Sequence, residues 1–180
     1  MKIPTPVVAI LTIITAITVS TVSYAQPYGI GLYNENVPYG SETSLTINTD
    51  GNVNIPTITP TESGTLGTGD STVTIASTDV TGYILYISAL TSTSMDNLGT
   101  PLPTATFSVP GATKNVWGYN TTQSTTDFTA ISLTNTQIDS MSTPTTGHNT
   151  IVTYGLYLDF GKPAGQYQAQ IVYTAVPQTD

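Results

Sequence analysis

Apolar and polar residues alternate along much of this chain, and a period of two is the pattern of β-strands that bury one face. In the clearest example every second residue is apolar, namely Val152, Tyr154, Leu156, Leu158 and Phe160. This pattern predicts a strand whose even-numbered residues face the core.

A second alternation follows residues 161–165, whose Gly and Pro content predicts a turn. Its apolar positions are Tyr167, Ala169, Ile171, Tyr173 and Ala175. We expect these side chains to face the core as well. A slip of one residue would expose all of them, so the register of this strand is strongly specified.

Shorter segments upstream carry the same signal. Residues 44–47 alternate and predict a strand. The dipeptide Asp50-Gly51 then predicts a tight turn that pairs this strand with residues 53–55 in a hairpin. The Gly- and Pro-rich residues 56–69 predict a loop.

Later segments complete the pattern. The apolar run 83–87 predicts a strand covered on both faces, and the alternation over 105–109 predicts another. Residues 124–141 are ambiguous, and Ile131, Leu133 and Ile138 fit a strand and a short turn. Roughly eight to ten short strands separated by Gly and Pro predict an all-β fold, an antiparallel β-sandwich with a jelly-roll-like arrangement.

The first 25 residues have a different character. Lys2 precedes a long apolar run, and Ser23 and Ala25 place small residues just before Gln26. These features predict a cleaved secretory signal over residues 1–25 and an extracellular, surface-associated protein. If the signal is retained, it is the one segment expected to anchor the chain in a membrane.

The remainder divides into two parts. Residues 26–41 form a Tyr-, Gly- and Pro-rich arm, either flexible or a strand that pairs only when an edge is offered to it. Residues 42–180 are expected to form the β-sandwich domain. The candidate self-assembly residues of the arm are Tyr28, Tyr33 and Tyr39.

Composition restricts the possible partners. Charged residues make up only 8% of the chain, and Thr accounts for 37 of its 180 positions, so solubility depends on hydroxyl and amide groups. There is no Arg, and the only basic side chains beyond the predicted signal are Lys114 and Lys162. Because nucleic acids and anionic membranes are bound through clustered Lys and Arg, the sequence excludes both as partners of the domain.

Catalytic and metal-binding residues are sparse. The chain has no Cys, and His148 is its only His, predicted to lie in a loop without partners. The Asn- and Asp-rich residues 48–54 lack the Glu that completes an EF-hand. We therefore predict no enzyme, no catalytic or metal-binding residue and no cofactor. A hydrolase built on two acids brought together by folding is the remaining enzymatic alternative.

Trp117 and Tyr119 are the candidate ligand-binding residues. They flank Gly118, and aromatic rings exposed on a sheet can stack on sugar rings. The alternative is that Trp117 packs in the core with its indole N–H bonded locally.

Several segments together resemble small secreted bacterial cell-surface proteins of the WxL type. They are residues 71–78, 81–87, 116–119, 163–167 and 171–176. Trp117 is followed by Gly118-Tyr119, where the WxL motif has x-Leu. The last strand, which begins with Ala-Gly-Gln-Tyr, is also similar to the last strand of chaperone–usher pilins. These resemblances imply a secreted β-sandwich at the cell envelope.

The sequence thus predicts an exported, non-enzymatic structural or adhesion protein of the cell surface. One alternative is a filament or lattice subunit whose arm adds as a strand to a neighbouring copy. Another is a carbohydrate-binding module. The expected partners are accordingly a cell-envelope component, a glycan or other copies of the chain.

Overall fold

A computed structural model describes residues 44–78 and 80–178 of the chain. Eleven β-strands account for all its regular structure. They are β1 Ser44–Thr49, β2 Thr65–Thr78, β3 Gly82–Ala89, β4 Met95–Asn97, β5 Thr100–Leu102, β6 Phe107–Ser108, β7 Val116–Asn120, β8 Asp127–Phe128, β9 Thr136–Met141, β10 Thr145–Leu158 and β11 Ile171–Gln178. Within the described ranges, no helix is long and apolar enough to span a membrane. The predicted signal (1–25) and arm (26–41) lie outside these ranges.

Two antiparallel sheets carry most of the strands. One has four strands in the order β1-β2-β10-β7, and the other has three in the order β11-β3-β9. The strands β4 and β5 form a two-stranded ribbon, as do β6 and β8. One apolar core includes residues from both large sheets. The predicted all-β, antiparallel, sandwich-like fold is confirmed, although β2 and β10 are longer than predicted, with 14 residues each.

The inward face predicted for β10 is confirmed, because its even-numbered apolar residues from Val152 to Leu158 are completely buried. Phe160 is the exception, with 60% of its surface exposed, because the strand ends two residues earlier and the alternation no longer applies. The other face of β10 is also covered, since Thr153 and Tyr157 are buried and Tyr157 packs in a second apolar cluster.

The inward register of the last segment is also confirmed at four of its five positions. Tyr167, Ala169, Ile171 and Tyr173 are buried, whereas Ala175 is only half-buried. The strand β11 pairs with β3, so it lies in the opposite sheet from β10. The Tyr154 and Tyr173 hydroxyls meet 2.6 Å apart in the core and join the two sheets. Burial raises the pKa of both hydroxyls, that of Tyr173 to about 12.

The hairpin predicted at Asp50-Gly51 is wrong. Gly51 does take the left-handed conformation of a turn residue (φ +89°), but β1 pairs with β2 and not with residues 53–55. The reason lies in the Asp50 side chain, which accepts hydrogen bonds from the Ser71 hydroxyl (3.0 Å) and the Thr72 amide (2.8 Å). These bonds fix the end of β1 against the middle of β2.

The loop predicted over residues 56–69 is also wrong in its second half, because β2 begins at Thr65. The glycines in this region make room for the preceding segment. A Cβ on Gly67 would lie 2.4 Å from Ile58, and one on Gly69 would lie 2.8 Å from Val53. Because Gly67 and Gly69 have no side chains, Ile58 and Val53 can pack closely over β2, and the two glycines do not interrupt the strand.

The strand β3 is covered more on one face than on the other. Tyr83, Leu85 and Ile87 are completely buried, while Ile84 and Tyr86 on the opposite face are half-buried. The predicted strand is confirmed, and its two-sided burial is wrong. The ambiguous residues 124–141 contain both β8 and β9.

Candidate functional site

Trp117 lies in the core. It is fully buried on β7, its indole N–H donates to the Thr93 carbonyl (3.0 Å), and its ring centroid is 6.5 Å from that of Tyr154. Trp117 is therefore a core residue, as the alternative prediction had it. It cannot stack on sugars, because neither face of its ring is exposed. Tyr119 is also largely buried, with 5% of its surface accessible.

The chain itself covers the outer edge of β7, which we call the covered margin. The Trp117 amide donates to the Pro103 carbonyl (3.1 Å), and the Ala105 amide donates to the Trp117 carbonyl (3.0 Å). Further along, Tyr119 and Thr129 exchange two backbone hydrogen bonds of 2.9 and 2.7 Å. The backbone groups that an edge strand usually leaves unpaired are thus bonded within the molecule.

Gly118 explains how these segments approach so closely. A Cβ at this position would lie 2.7 Å from the Thr129 carbonyl oxygen and 3.1 Å from the Ala105 carbonyl oxygen. Both are backbone atoms that no side-chain rotation can move. The sequence Trp-Gly-Tyr therefore packs β7 against its covering segments.

The opposite side of the sandwich is different, and we call the edges of β1 and β11 the open margin. These two strands contact each other across the sandwich. Each is the end strand of its sheet, and within the described residues no strand pairs with the outer edge of either one. The strand β11 keeps an unbroken register with β3 over eight residues, so its free edge is long and regular.

Apolar side chains at the open margin are incompletely covered. Leu45, Ile47 and Ala175 pack against the core but remain half-buried, and Val176 has 42% of its surface exposed. A further strand added at this margin would remove apolar surface from water.

The end strand β9 also lacks a second partner strand within the described residues, but its edge is irregular. Its pairing with β3 is interrupted where Leu85 opposes Asp139 and Tyr86 opposes Gln137, which leaves Ile138 unpaired as a bulge. Bulges of this kind protect sheet edges from further pairing.

One cluster of titratable side chains connects the sheets near β9. The Asp139 carboxylate accepts hydrogen bonds from the Thr150 hydroxyl (2.6 Å) and the Tyr83 hydroxyl (3.2 Å), and it lies 3.1 Å from His148 Nε2. His148 lies in β10, so its prediction as a loop residue is wrong. Burial, followed by the nearby Asp139 carboxylate, raises the pKa of the Tyr83 hydroxyl.

This cluster has the chemistry of a structural bridge. A single oxygen atom of Asp139 faces all three partners, so little of that atom is left for a ligand. Within the part of the chain that the structure describes, no three His, Asp or Glu side chains are grouped as a metal site would need. Sequence reasoning missed the cluster because its members come from three strands and share no local motif.

The self-assembly candidates Tyr28, Tyr33 and Tyr39 lie outside the described residues, so their role stays a prediction. No protein-family model matches the chain, and no curated protein matches it significantly.

Proposed function

We propose that the protein is an exported, non-enzymatic structural protein of the cell surface, whose copies join by strand addition at the open margin. The observation that carries this proposal is the regular eight-residue outer edge of β11 beside half-buried apolar side chains. Strand addition uses backbone hydrogen bonds for affinity and alternate side chains for specificity.

The arm of a second copy is the strand that fits this edge. Residues 28–32 place Tyr28, Ile30 and Leu32 at alternate positions, with Gly29 and Gly31 between them. In an extended conformation, one face of this segment is apolar and the other carries no side chain. The apolar face matches the partly exposed apolar residues of the open margin.

The arm also precedes a strand of the open margin in the sequence. The first described strand, β1, begins at Ser44, so only residues 42 and 43 separate the predicted arm from β1 along the chain. Pro177 is the only Pro in β11 and lies one residue from its end, so among the six residues before it every second amide, the one that does not face β3, remains available to an added strand.

The charge distribution supports a surface role. Beyond the predicted signal the chain has two Lys and eleven acids, a net side-chain charge of −9 with His neutral. Such a charge favours solubility. The one titratable cluster among the described residues is bonded internally, which supports a structural assignment over a catalytic one.

Chemical cross-linking between two cysteine variants tests the proposal, and the Cys-free chain makes each introduced thiol unique. One exported population carries Gly31→Cys in the arm, and the other carries Thr174→Cys on β11. After mixing, a short bismaleimide should join the two populations into heterodimers, which an affinity tag on one population identifies.

The matched control replaces Thr174→Cys with Thr129→Cys, an exposed residue at the covered margin. Strand addition at β11 predicts efficient coupling of Gly31→Cys to Thr174→Cys and little coupling to Thr129→Cys. Equal yields at the two margins, or no heterodimer at either, would refute the proposal.

A further inference from the structure

A cleft opens at the covered margin, between the end of β7, the β6–β8 ribbon and β9. Its volume is about 390 Å³, within the range of small-molecule sites. Thr122 and Gln137 are among its polar lining residues, and Phe107, Tyr119 and Phe128 also line it, each with no more than 5% of its surface exposed.

The Tyr119 hydroxyl is the distinctive group in this cleft. Among the described residues, every fully buried side-chain nitrogen or oxygen atom has a hydrogen-bond partner. The Tyr119 hydroxyl has no hydrogen-bond partner within the described residues. The oxygen is therefore not fully buried, although only 5% of the whole residue is exposed. Burial raises the pKa of Tyr119, so the hydroxyl remains protonated and can both donate and accept hydrogen bonds.

The loop beside Tyr119 is held in place from within. The Asn120 side-chain amide donates to the Ser124 and Asp127 carbonyls (both 3.0 Å) and accepts from the Ser124 amide (3.1 Å). The Asp127 carboxylate accepts from the Ser108 hydroxyl (2.6 Å) and the Thr126 hydroxyl (2.7 Å). A wall fixed in this way loses little conformational entropy when a ligand binds.

The groups left for a ligand are neutral. The side chains of Thr122 and Gln137 make no hydrogen bond within the described residues, and no Lys or His lines the cleft. The single charged residue of the lining is Asp127, which disfavours anionic ligands.

We infer that this cleft binds a neutral polyhydroxylated ligand, one or two sugar units of an uncharged glycan. The hydroxyls of such a ligand would bond to the Tyr119 and Thr122 hydroxyls and to the Gln137 amide. The site is separate from the open margin, so it adds a glycan-binding surface to the proposed structural function.

Amide NMR spectra of the exported, ¹⁵N-labelled protein test the inference. The probes are maltotriose, cellotriose and chitotriose, each added to millimolar concentration. Binding should shift the amide signals of residues 119–122 and 137 in a saturable way with at least one probe. Tyr119→Phe and Gln137→Ala should each weaken that binding about tenfold, the effect of one lost hydrogen bond.

The matched control is Tyr167→Phe, which removes a tyrosine hydroxyl that donates to the Pro163 carbonyl away from the cleft. This variant should leave sugar binding unchanged. Deletion of residues 26–41 should also leave it unchanged, and that result would distinguish sugar binding from the proposed assembly. The inference would be overturned if none of the three sugars caused a saturable shift, or if both cleft variants bound sugar as tightly as the unchanged chain. It would also be overturned if calcium chloride, added as a separate probe, were the only addition that caused shifts.

Discussion

The two margins of this sandwich differ in whether the backbone groups of their edge strands are paired. At the covered margin, residues 103–105 and Thr129 bond to the outer edge of β7. At the open margin, β1 and β11 end their sheets with no further strand of the described chain beside them. An unpaired regular edge favours association with other chains, and natural proteins usually protect such edges. A chain that covers the outer edge of β7 and has a regular outer edge on β11 is therefore suited to association at the open margin.

The two margins also require different features of the sequence. The covered margin requires particular residues, because Trp117 fills the core and Gly118 admits two backbone segments. The open margin requires only alternation and a free edge. Substitutions should therefore reduce stability at the covered margin and assembly at the open one.

The largest difference between the margins should appear when apolar side chains are shortened. We expect Trp117→Ala to lower the free energy of unfolding by about 3–5 kcal/mol, because it removes a completely buried ring and leaves a cavity. Ile47→Ala at the open margin should lower it by roughly 1–2 kcal/mol, since Ile47 is only half-buried. Urea denaturation followed by circular dichroism measures both, and equal losses would contradict the distinction.

A smaller effect is expected from adding one methyl group. Gly118→Ala should cost about 1–3 kcal/mol, because the new Cβ meets two carbonyl oxygens at the covered margin. Gly147→Ala is the matched control, since its nearest neighbour would be a Thr74 methyl group at 3.9 Å. The control should change stability by less than about 0.5 kcal/mol. Thermal unfolding of the two variants decides the point, and a neutral Gly118→Ala would mean that the covering segments are loosely held.

The contact between the Tyr154 and Tyr173 hydroxyls should make stability depend on pH only in the alkaline range. Burial raises the folded-state pKa of Tyr173 from 10.0 to about 12, and that of Tyr154 is also raised. The folded state therefore retains protons that the unfolded state has lost, and stability falls as pH rises. The contribution is fully present below pH 10 and is lost as the pH rises from 10 toward 12 and through the folded-state pKa values.

Urea titrations at a series of pH values measure this slope. The Tyr173→Phe variant should show a shallower decline, since one of the tyrosines whose folded-state pKa is raised is gone. Stability that stays constant up to pH 12 would show that these hydroxyls are not buried together.

Sequence reasoning succeeded where the information was local. The alternation from Val152 to Leu158 identified the inward face of β10 because a strand has a fixed period of two, but it did not predict that Tyr157 is buried on the other face. It failed where pairing depended on distant residues. The Asp50 carboxylate bonds to Ser71 and Thr72, and that contact replaced the predicted hairpin.

The functional regions divide in the same way. Trp117 and Tyr119 were recognised as unusual from composition, but only the fold shows that Trp117 is buried while the Tyr119 hydroxyl reaches a cleft. The Asp139 cluster joins residues from β3, β9 and β10, and no local motif marks it. The open margin is likewise a property of sheet order, which a single sequence does not specify.

Sedimentation velocity of a chain consisting of residues 26–180, over a range of concentrations, tests the central claim most directly. This chain should form species larger than a monomer as concentration rises, and the variant lacking residues 26–41 should sediment as a folded monomer throughout. A full chain that remains monomeric at every concentration, or a shortened chain that assembles equally well, would contradict strand addition at the open margin.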